Sequence, residues 1–308
     1  MTNLEETDMY DWRVRALMNW IQRNKEPNGS LSMNSLCKAG HLDQYHYLGT
    51  LANDEVIRIL GLDETMSVLD VGCGIGGPPR YLTWKSGARV TGIDIQPQLV
   101  DAGNQVSELV GLSDKVCLVT GDVTSLSDRF EKESFDAFIS LLVILHIENR
   151  QSLFSSLFPA LKAGGGFLIE DMVHVGETPF TAAELGIARD VVGSPYLPNI
   201  CEYANHLREA GFVDVEFEIL TPSWVQWCID RSDQYNASKE EQIRLNGEKV
   251  FNQRSSFYAH VKTLFLSGKL GGVRITGRKP NKIEQSIANH RKTHSRNLEQ
   301  LGSVSIIE

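Results

Sequence analysis

The sequence lacks an excess of positive charge and lacks any long hydrophobic run. Its 30 lysine and arginine residues are outnumbered by 39 aspartate and glutamate residues, giving a formal net charge of −9. Because nucleic-acid phosphates are bound through lysine and arginine, this balance argues against a nucleic-acid partner. It also disfavours docking on anionic membranes. No stretch reaches the roughly 18 apolar residues that a membrane span requires, so we expect no membrane partner.

Paired cysteines and a leader segment are also missing. The cysteines are scattered, without the close pairs that hold zinc, and we expect reduced thiols and no metal. They are Cys37, Cys73, Cys117, Cys201 and Cys228. The acidic start of the chain shows neither the basic nor the apolar region of a signal peptide. We therefore expect a cytoplasmic protein, and the sequence leaves a homodimer open.

From residue 66 onward, strand-like and helix-like patterns alternate along the chain. Candidate strands cover residues 66–71, 88–94, 115–120, 135–141 and 165–170. Candidate helices cover residues 78–86, 97–110 and 147–161. Short apolar strands separated by amphipathic helices predict an α/β fold, a doubly wound Rossmann-like sheet that is mostly parallel. Ligands bind such sheets at the carboxyl ends of the strands.

The flanking segments predict additions to this sheet. Residues 1–60 contain two helical patterns and predict an N-terminal helical cap or lid. Late strands at 212–220 and 271–277 predict a terminal antiparallel hairpin, with a helical insertion at 223–266 between them. The main domain is then 61–280, followed by a polar C-terminal tail at 281–308.

The most informative motif is a hydrophobic strand that runs directly into a glycine loop. Gly72, Gly74 and Gly77 match the pattern G-x-G-x-x-G, which alone is weak evidence for NAD or FAD binding. Asp94 ends the next strand roughly 20 residues later, where an acid accepts two ribose hydroxyls. Asp70 stands two residues before the first glycine, where its charge would repel a pyrophosphate.

S-adenosylmethionine (SAM) suits this pocket better than a dinucleotide does. It has no phosphate, its amino-acid end carries an ammonium group, and its sulfur is a cation. The acid beside the glycine loop therefore favours SAM as the cofactor. An NAD(P)-dependent oxidoreductase, a noncatalytic SAM-binding protein and a strand-to-helix turn without ligand remain the alternatives.

Further motifs follow the glycine loop in a characteristic order: Gly92–Asp94, Gly121–Asp122, Phe135–Ser140 and Leu161–Gly165. With them, the chain resembles class I SAM-dependent methyltransferases over roughly residues 45–280. It looks most similar to small-molecule enzymes of the sarcosine/dimethylglycine and phosphoethanolamine N-methyltransferase type. The shared traits are the helical cap, a Gln-x-His-Tyr segment before the first strand, Leu-His after the fourth strand and the helical insertion.

The resemblance implies which residues hold SAM. Asp70 and the glycines would hold the methionine moiety, Asp94 the ribose hydroxyls, and the Leu141 carbonyl the ammonium group. Asp122 would accept the adenine amine, and Ile95 would pack on the adenine ring. The expected cofactor-binding residues are Asp70, Gly72, Cys73, Gly74, Asp94, Ile95, Gln96, Asp122, Val123 and Leu141.

Fewer residues point to the methyl acceptor. The catalytic candidates are His146, His46 and Tyr47, because a positioned imidazole or phenol can take a proton or orient a substrate. The substrate-binding candidates are Gln44, His46, Tyr47, His146, Trp224 and Trp227, since aromatic faces attract protonated amines. The competing interpretation is that these histidines and aromatic residues only pack the cap and the insertion.

We therefore expect an enzyme that transfers a methyl group from SAM to a small molecule, at an amine nitrogen. Similar enzymes often have a polar residue near position 142, whereas this chain has Leu141 and Leu142. The apolar pair supports an alternative, a C- or O-methyltransferase of a hydrophobic isoprenoid or phenol.

Overall fold

The computed structural model of the chain describes residues 4–287 and His290, and its centre is a seven-stranded sheet. The strands are β1 (Ser67–Val71), β2 (Arg89–Asp94), β3 (Val116–Thr120), β4 (Phe135–Leu141), β5 (Leu161–His174), β6 (Val213–Ile219) and β7 (Leu270–Arg278). Their order across the sheet is β3-β2-β1-β4-β5-β7-β6. Strands β1 to β5 run parallel, and β7 pairs antiparallel with both β5 and β6. The predicted α/β sheet and its terminal antiparallel pair are confirmed.

Helices cover the sheet and extend it at both ends of the chain. Those that alternate with strands are α4 (Gly77–Ser86), α5 (Pro97–Leu109), α6 (Arg150–Ala160) and α8 (Ile200–Glu209). Before the sheet lie α1 (Leu4–Asn24), α2 (Met33–Leu36) and α3 (Thr50–Leu60). After β5 come α7 (Ala182–Ile187) and a π-helix (Ala188–Val192). Between β6 and β7 lie α9 (Thr221–Ala237), α10 (Lys239–Asn246) and α11 (Glu248–Leu266).

Local sequence signals begin several of these helices. Prolines occupy the first turns of α4 and α5, where their missing N–H groups leave no hydrogen bond unmade. Thr181 before α7 and Asn199 before α8 form capping boxes with the glutamates three residues later. The sheet itself is held by runs such as Val68, Leu69 and Val71, which are buried on both faces.

Strand β5 is longer than the sequence indicates. The prediction covered residues 165–170, whereas the strand spans Leu161–His174. Local glycines suggest a turn before residue 166, but β7 pairs with β5 from Gly166 to His174. Leu161 also pairs with Phe135 of β4 across a register shift. Long-range pairing therefore overrides the local preference of the glycines.

The sheet brings the carboxyl ends of β1, β2 and β4 to one edge. Asp70 lies opposite Gly92 of β2 and Ile139 of β4 in the register of the parallel strands. Asp94 and Leu141 are the last residues of their strands. The edge where ligands bind in doubly wound folds thus carries both acids of the glycine-loop motif.

Two sequence predictions fall partly beyond the described part of the chain. Residues 282–287 are helical, and the rest of the predicted tail except His290 lies outside the described residues, as do residues 1–3 of the cap. Within the described ranges, no helix combines the length and the apolar character that crossing a membrane would need. Those same ranges contain no group of three His, Cys, Asp or Glu side chains arranged to hold a metal ion.

Candidate cofactor and acceptor site

The glycine loop after β1 packs too tightly for a side chain at its first glycine. Gly72 has a φ of +74°, and its N–H donates to the Ile93 carbonyl of β2 at 2.8 Å. A Cβ atom there would lie 2.2 Å from Cγ1 of Val143, a residue that follows β4. Gly72 therefore lets the loop close against two neighbouring segments at once.

The segment before α3 closes over the same loop. A Cβ on Gly77 would meet the Asp43 carbonyl at 2.1 Å. Asp43 forms a buried ion pair with Arg80 of α4 at 2.6 Å. Gln44 donates to the Asp43 carboxylate at 3.0 Å and accepts a hydrogen bond from Asn53 at 2.8 Å. These contacts use both ends of the Gln44 amide within the cap, so Gln44, an expected substrate-binding residue, helps to hold Asp43 in place for its ion pair with Arg80.

Asp94 at the end of β2 is held by two backbone donors. The Gly74 N–H donates to its Oδ2 at 2.8 Å, and the Gln96 N–H donates to its Oδ1 at 2.9 Å. Burial raises the pKa of Asp94, and these two hydrogen bonds partly oppose that rise. Ile95, the residue between Asp94 and Gln96, is 68% exposed. An oriented carboxylate beside an exposed apolar side chain fits a ribose carrying a flat base.

Asp70 is the other acid of this edge, and only 2% of its surface is exposed. Its Oδ2 atom is buried and has no hydrogen-bond partner among the described residues. Burial raises the pKa of Asp70 to about 8, and the negative charge of Asp94 adds to that rise. A ligand cation would supply the missing partner, so the donor and charge pattern of this edge fits SAM.

At the end of β4 the backbone makes a sharp change of direction. Leu141 is buried, and Leu142 has a φ of +60°, a left-handed conformation that leucine rarely adopts. The Leu142 N–H donates to the Glu170 carbonyl at 2.8 Å, which holds the turn. Backbone strain of this kind, on the order of 1–3 kcal/mol, is concentrated at functional sites. It occurs here directly after the predicted ammonium ligand.

The remaining expected cofactor residues differ in how their side chains are used. Asp122 is exposed and accepts the Thr124 N–H at 2.8 Å, which caps the short helix that follows β3. Val123, the first residue of that helix, is buried. The Cys73 side chain is buried beside Gly92, and burial raises its thiol pKa well above the ordinary value. Cys73 can therefore serve a ligand only through its backbone.

Two of the three catalytic candidates are buried in the cap. His46 has its Nε2 atom 2.9 Å from the Gly49 carbonyl, and burial lowers its pKa to about 4. Tyr47 packs edge-on against Trp224 and closely against Trp227, with ring centroids 4.8 and 4.5 Å apart. Burial raises the pKa of the Tyr47 phenol well above its ordinary value. Both side chains are therefore neutral near pH 7.

The two tryptophans of α9 are placed differently. Trp224 is 0% exposed, and its ring fills the space where Gly272 of β7 has no side chain, since a Cβ there would lie 2.2 Å from its ring. Trp227 is only partly buried and faces both Tyr47 and His41, the latter at 5.5 Å between ring centroids. Of the two, Trp227 is the better placed to meet a ligand.

His146 is the exposed member of the three catalytic candidates. It ends a short 3₁₀-helix after β4, and its Nδ1 lies 2.8 Å from the Gly193 carbonyl. Gly193 directly follows the π-helix, so this hydrogen bond ties that helix to the strand-end edge. His146 is also close enough to Asp94 to lower that carboxyl's pKa, against the larger effect of burial.

Sequence reasoning missed one residue at this edge, Arg13 of α1. Its Nη1 lies 3.9 Å from the position a Cβ of Gly74 would take, and its guanidinium stacks on Tyr45 at 3.8 Å from the ring centroid. Nothing in the sequence signalled this, because an arginine on an amphipathic helix normally faces solvent. Only the return of α1 over the sheet edge reveals the contact.

The structure also has an open cavity of about 640 Å³ away from this edge. Its lining includes Leu60, Asp136, Lys162, Gly165 and Arg278, near the amino ends of β4 and β5. Parallel sheets bind their ligands at the opposite, carboxyl ends. This cavity is therefore separate from the glycine-loop site.

Comparisons with known proteins agree with the geometry. A family model described as a methyltransferase domain matches residues 69–169. The chain is 30% identical over 206 residues to a phosphoethanolamine N-methyltransferase of Plasmodium falciparum, covering 66% of this chain and 74% of that protein. It is 32% identical over 195 residues to phosphoethanolamine N-methyltransferase 1 of Arabidopsis thaliana, covering 63% of this chain but only 38% of that protein.

A solved structure has the same fold. Phosphoethanolamine N-methyltransferase 2 of Haemonchus contortus, in complex with phosphomonomethylethanolamine and S-adenosylhomocysteine, superposes with a TM-score of 0.67. The match covers 76% of this chain and 53% of that chain at 24% identity. The chain thus spans less than half the length of the Arabidopsis relative and about half the length of this solved structure.

Proposed function

Since the chain belongs to the class I SAM-dependent methyltransferases, we propose that it transfers the methyl group of SAM to an amine nitrogen of a small molecule. One observation carries the proposal. Asp70, a buried acid with an oxygen that has no partner among the described residues, lies beside Asp94 at the glycine loop, and a cation would supply that partner. The phosphoethanolamine N-methyltransferases among the relatives support an amine as the acceptor.

The residues of the strand-end edge would divide the work of holding SAM. Asp94, fixed by two backbone N–H groups, accepts the ribose hydroxyls, and Ile95 offers an apolar surface to the adenine ring. Asp70 balances positive charge at the amino-acid end. When bound, SAM supplies a methyl group on a cationic sulfur. The protein then has to align the acceptor and exclude water.

An amine acceptor attacks as the neutral form and gives up a proton. We propose that His146 accepts this proton, because its exposed imidazole lies at the strand-end edge and is oriented by the Gly193 carbonyl. His46, with its pKa lowered to about 4, and Tyr47, with a raised pKa, are poor bases near pH 7. We propose that His46 and Tyr47 instead position the acceptor, and that Gln44 and Trp227 help to do so.

We also propose how the segments of the chain enclose the acceptor and in which compartment the enzyme acts. Residues 1–60 act as a lid over the main domain at 61–280, and the insertion at 223–266 encloses the acceptor. The lid contacts at Gly77 and Arg80 support this arrangement. The acidic composition supports a cytoplasmic enzyme that acts on small molecules and not on nucleic acid.

A hydrophobic acceptor is the second candidate. Leu142 and Leu145, next to the end of β4, pack in one apolar group with Tyr47 and Trp224. Such a lining would suit an isoprenoid or phenol methylated on carbon or oxygen. The two candidates differ in the charge of the acceptor, which an acceptor panel can distinguish.

Two experiments test the function. Calorimetric titration with SAM, S-adenosylhomocysteine and NAD is expected to show binding of the first two and not of NAD. A methyl-transfer assay should then include glycine derivatives, ethanolamine phosphates, phenols and prenyl diphosphates, with activity expected on amines. Failure of both SAM and S-adenosylhomocysteine to bind would refute the cofactor, and activity on phenols or prenyl diphosphates alone would refute the amine acceptor.

A further inference from the structure

The hydrogen bond between His146 and Gly193 joins two separate segments of the chain. One is the 3₁₀-helix Ile144–His146 after β4, and the other is the loop that leaves the π-helix at Gly193. The Nδ1 atom of His146 lies 2.8 Å from the Gly193 carbonyl. Because a carbonyl oxygen only accepts, Nδ1 carries the proton, and Nε2 keeps the lone pair that can take another. The state of this imidazole therefore depends on how the two segments are held.

A buried acid of β5, Asp171, holds the first segment. Its Oδ1 accepts the backbone N–H of Leu145 at 3.2 Å. Leu145 directly precedes His146, so this hydrogen bond fixes the backbone that carries the imidazole. Burial raises the pKa of Asp171, while the charge of Arg150 and, less strongly, that of His146 oppose the rise. The imidazole thus lies within electrostatic reach of the carboxylate.

The same acid holds the second segment through Arg150 of α6. The buried guanidinium of Arg150 donates from Nη1 to Oδ2 of Asp171 at 3.4 Å. Its Nη2 donates to the Tyr196 carbonyl at 3.3 Å, three residues beyond Gly193. Asp171 and Arg150 together therefore form a bridge between the two segments that meet in the hydrogen bond of His146.

Stability alone is a weak explanation for this bridge. A buried ion pair loses the hydration of both charges, and apolar residues of similar size often stabilise a fold as well. Apolar side chains, however, cannot direct hydrogen bonds to the Leu145 N–H and the Tyr196 carbonyl. The buried Tyr203 of α8 also donates to Oδ2 of Asp171, at 3.0 Å, so three donors hold this carboxylate. A buried hydrogen-bonded network of this kind specifies one geometry.

We propose that Asp171 is a positioning residue that, together with Arg150, keeps the imidazole of His146 hydrogen-bonded to Gly193 and its Nε2 free to accept a proton. This inference rests on the proposed role of His146 as the proton acceptor. In this role Asp171 acts only through the two segments that it holds, and it takes no proton from the methyl acceptor itself.

The double variant Asp171→Asn/Arg150→Met removes the bridge without leaving a buried charge alone. Asparagine can still accept the Leu145 N–H, whereas methionine cannot donate to the Tyr196 carbonyl. We expect kcat to fall at least about tenfold, because a small misplacement of a catalytic group is costly. The KM for SAM and the midpoint of denaturant unfolding should change little, since both buried charges are removed together.

A second variant covers the case in which the double variant does not fold. Arg150→Lys keeps a positive charge beside Asp171 but replaces the planar guanidinium, which spans Asp171 and Tyr196, with a single ammonium group. The bridge is then broken while the ion pair is kept. We expect a loss of kcat in the same direction, again with little change in the KM for SAM.

An ion pair at the opposite edge of the sheet offers a matched control. Asp136 of β4 accepts the Ser67 N–H at 2.8 Å and the Lys162 ammonium at 2.9 Å, so it also joins a backbone donor to a basic side chain. The variant Asp136→Asn/Lys162→Met makes the same kinds of change near the amino ends of the strands. It should leave kcat and the state of His146 unchanged.

NMR of the histidine side chains gives a readout that does not depend on activity. Proton–nitrogen correlation spectra of neutral imidazoles show which ring nitrogen carries the proton, and His146→Gln identifies the signals of His146. We expect the proton on Nδ1 in the unmodified protein and in the control, and a mixture of both tautomers in the double variant and in Arg150→Lys. An unchanged tautomer in these two variants would overturn the inference, whatever happens to kcat.

The two readouts separate this inference from the proposed function. Mixed tautomers together with a lower kcat would support both. Mixed tautomers with an unchanged kcat would refute His146 as the proton acceptor and leave Asp171 as the residue that orients it. If the unmodified protein methylates no acceptor, the proposed function fails, and the tautomer of His146 in the variants still decides whether Asp171 positions it.

Discussion

The glycine-loop edge and the cluster of Arg231, Arg254 and Tyr258 between α9 and α11 are opposite in charge. At the edge, Asp70 is buried and Asp94 half-buried, and Asp70 keeps an oxygen without a partner among the described residues. Between α9 and α11, Arg231 and Arg254 both donate to the hydroxyl oxygen of Tyr258.

The difference indicates what each region binds. The acids of the edge, ionised when a cation is bound, favour a cation such as the ammonium group of SAM, and a cluster of arginines favours an anion. Both regions are buried, so water and salt screen them less than surface charges.

The strongest test of the acidic side is Asp94→Ala. The substitution removes a carboxylate that accepts the Gly74 and Gln96 N–H groups and that we propose accepts the ribose hydroxyls, so SAM affinity should fall by about 2–4 kcal/mol. Calorimetric titration with SAM measures this loss of affinity. Asp101→Ala, an exposed acid on the neighbouring helix α5, is the control and should bind normally. Normal SAM binding by Asp94→Ala would mean that the cofactor lies elsewhere.

The base assigned to this edge is tested by His146→Ala. If the imidazole takes the acceptor proton, kcat should fall about 100-fold, within the usual range for a general base. SAM affinity should stay within a few-fold, because the ring is not assigned to the cofactor. His146→Gln keeps a side chain that can donate to the Gly193 carbonyl. Recovery of full activity in that variant would show that His146 only tethers the π-helix.

The loop beside the two acids can be disturbed without changing any charge. Gly72→Ala places a Cβ 2.2 Å from Val143 Cγ1 at a φ of +74°. The left-handed conformation and the clash together should lower the free energy of unfolding by about 2 kcal/mol. Gly186→Ala, where a Cβ would meet nothing within 4 Å, is the matched control in denaturant unfolding. Adding Val143→Ala should restore part of the loss, and no restoration would place the strain in the backbone alone.

The smallest expected effect is a pH dependence at Asp70. With its pKa raised to about 8, Asp70 is protonated near pH 7, and a bound cation favours its ionised form. SAM binding should therefore release a proton, and affinity should rise between pH 6 and 8 by at most about tenfold per unit. Calorimetric titration in buffers of different ionisation enthalpy measures how many protons are released when SAM binds. Asp70→Asn should release none, and an unchanged proton count in that variant would exclude Asp70.

The same raised pKa has a consequence for stability without ligand. Between about pH 4 and pH 8 the folded protein holds a proton on Asp70 that the unfolded chain has lost. The free energy of unfolding should therefore fall as pH rises through this window. Asp70→Asn should remove that part of the fall.

Much of the fold followed from local patterns in the sequence. Strand β4 begins and ends where it was predicted, and the parallel order with a terminal hairpin followed from alternating strands and helices. Strand β5 was predicted too short, because its length depends on pairing with β7, about 100 residues later in the chain. Site residues near Asp70 and Asp94 were found because one short motif carries them.

By itself, the sequence determined the glycine loop, the acids at the strand ends and the α/β class, since each depends on neighbours within a few residues. Only the tertiary structure decided that His46 and Tyr47 are buried and neutral, and that His146 meets Gly193. It also brought Trp12 of α1 together with Arg254 of α11, which lie more than 200 residues apart. The sequence carries no local sign of such a contact, because an arginine's burial is set by long-range packing.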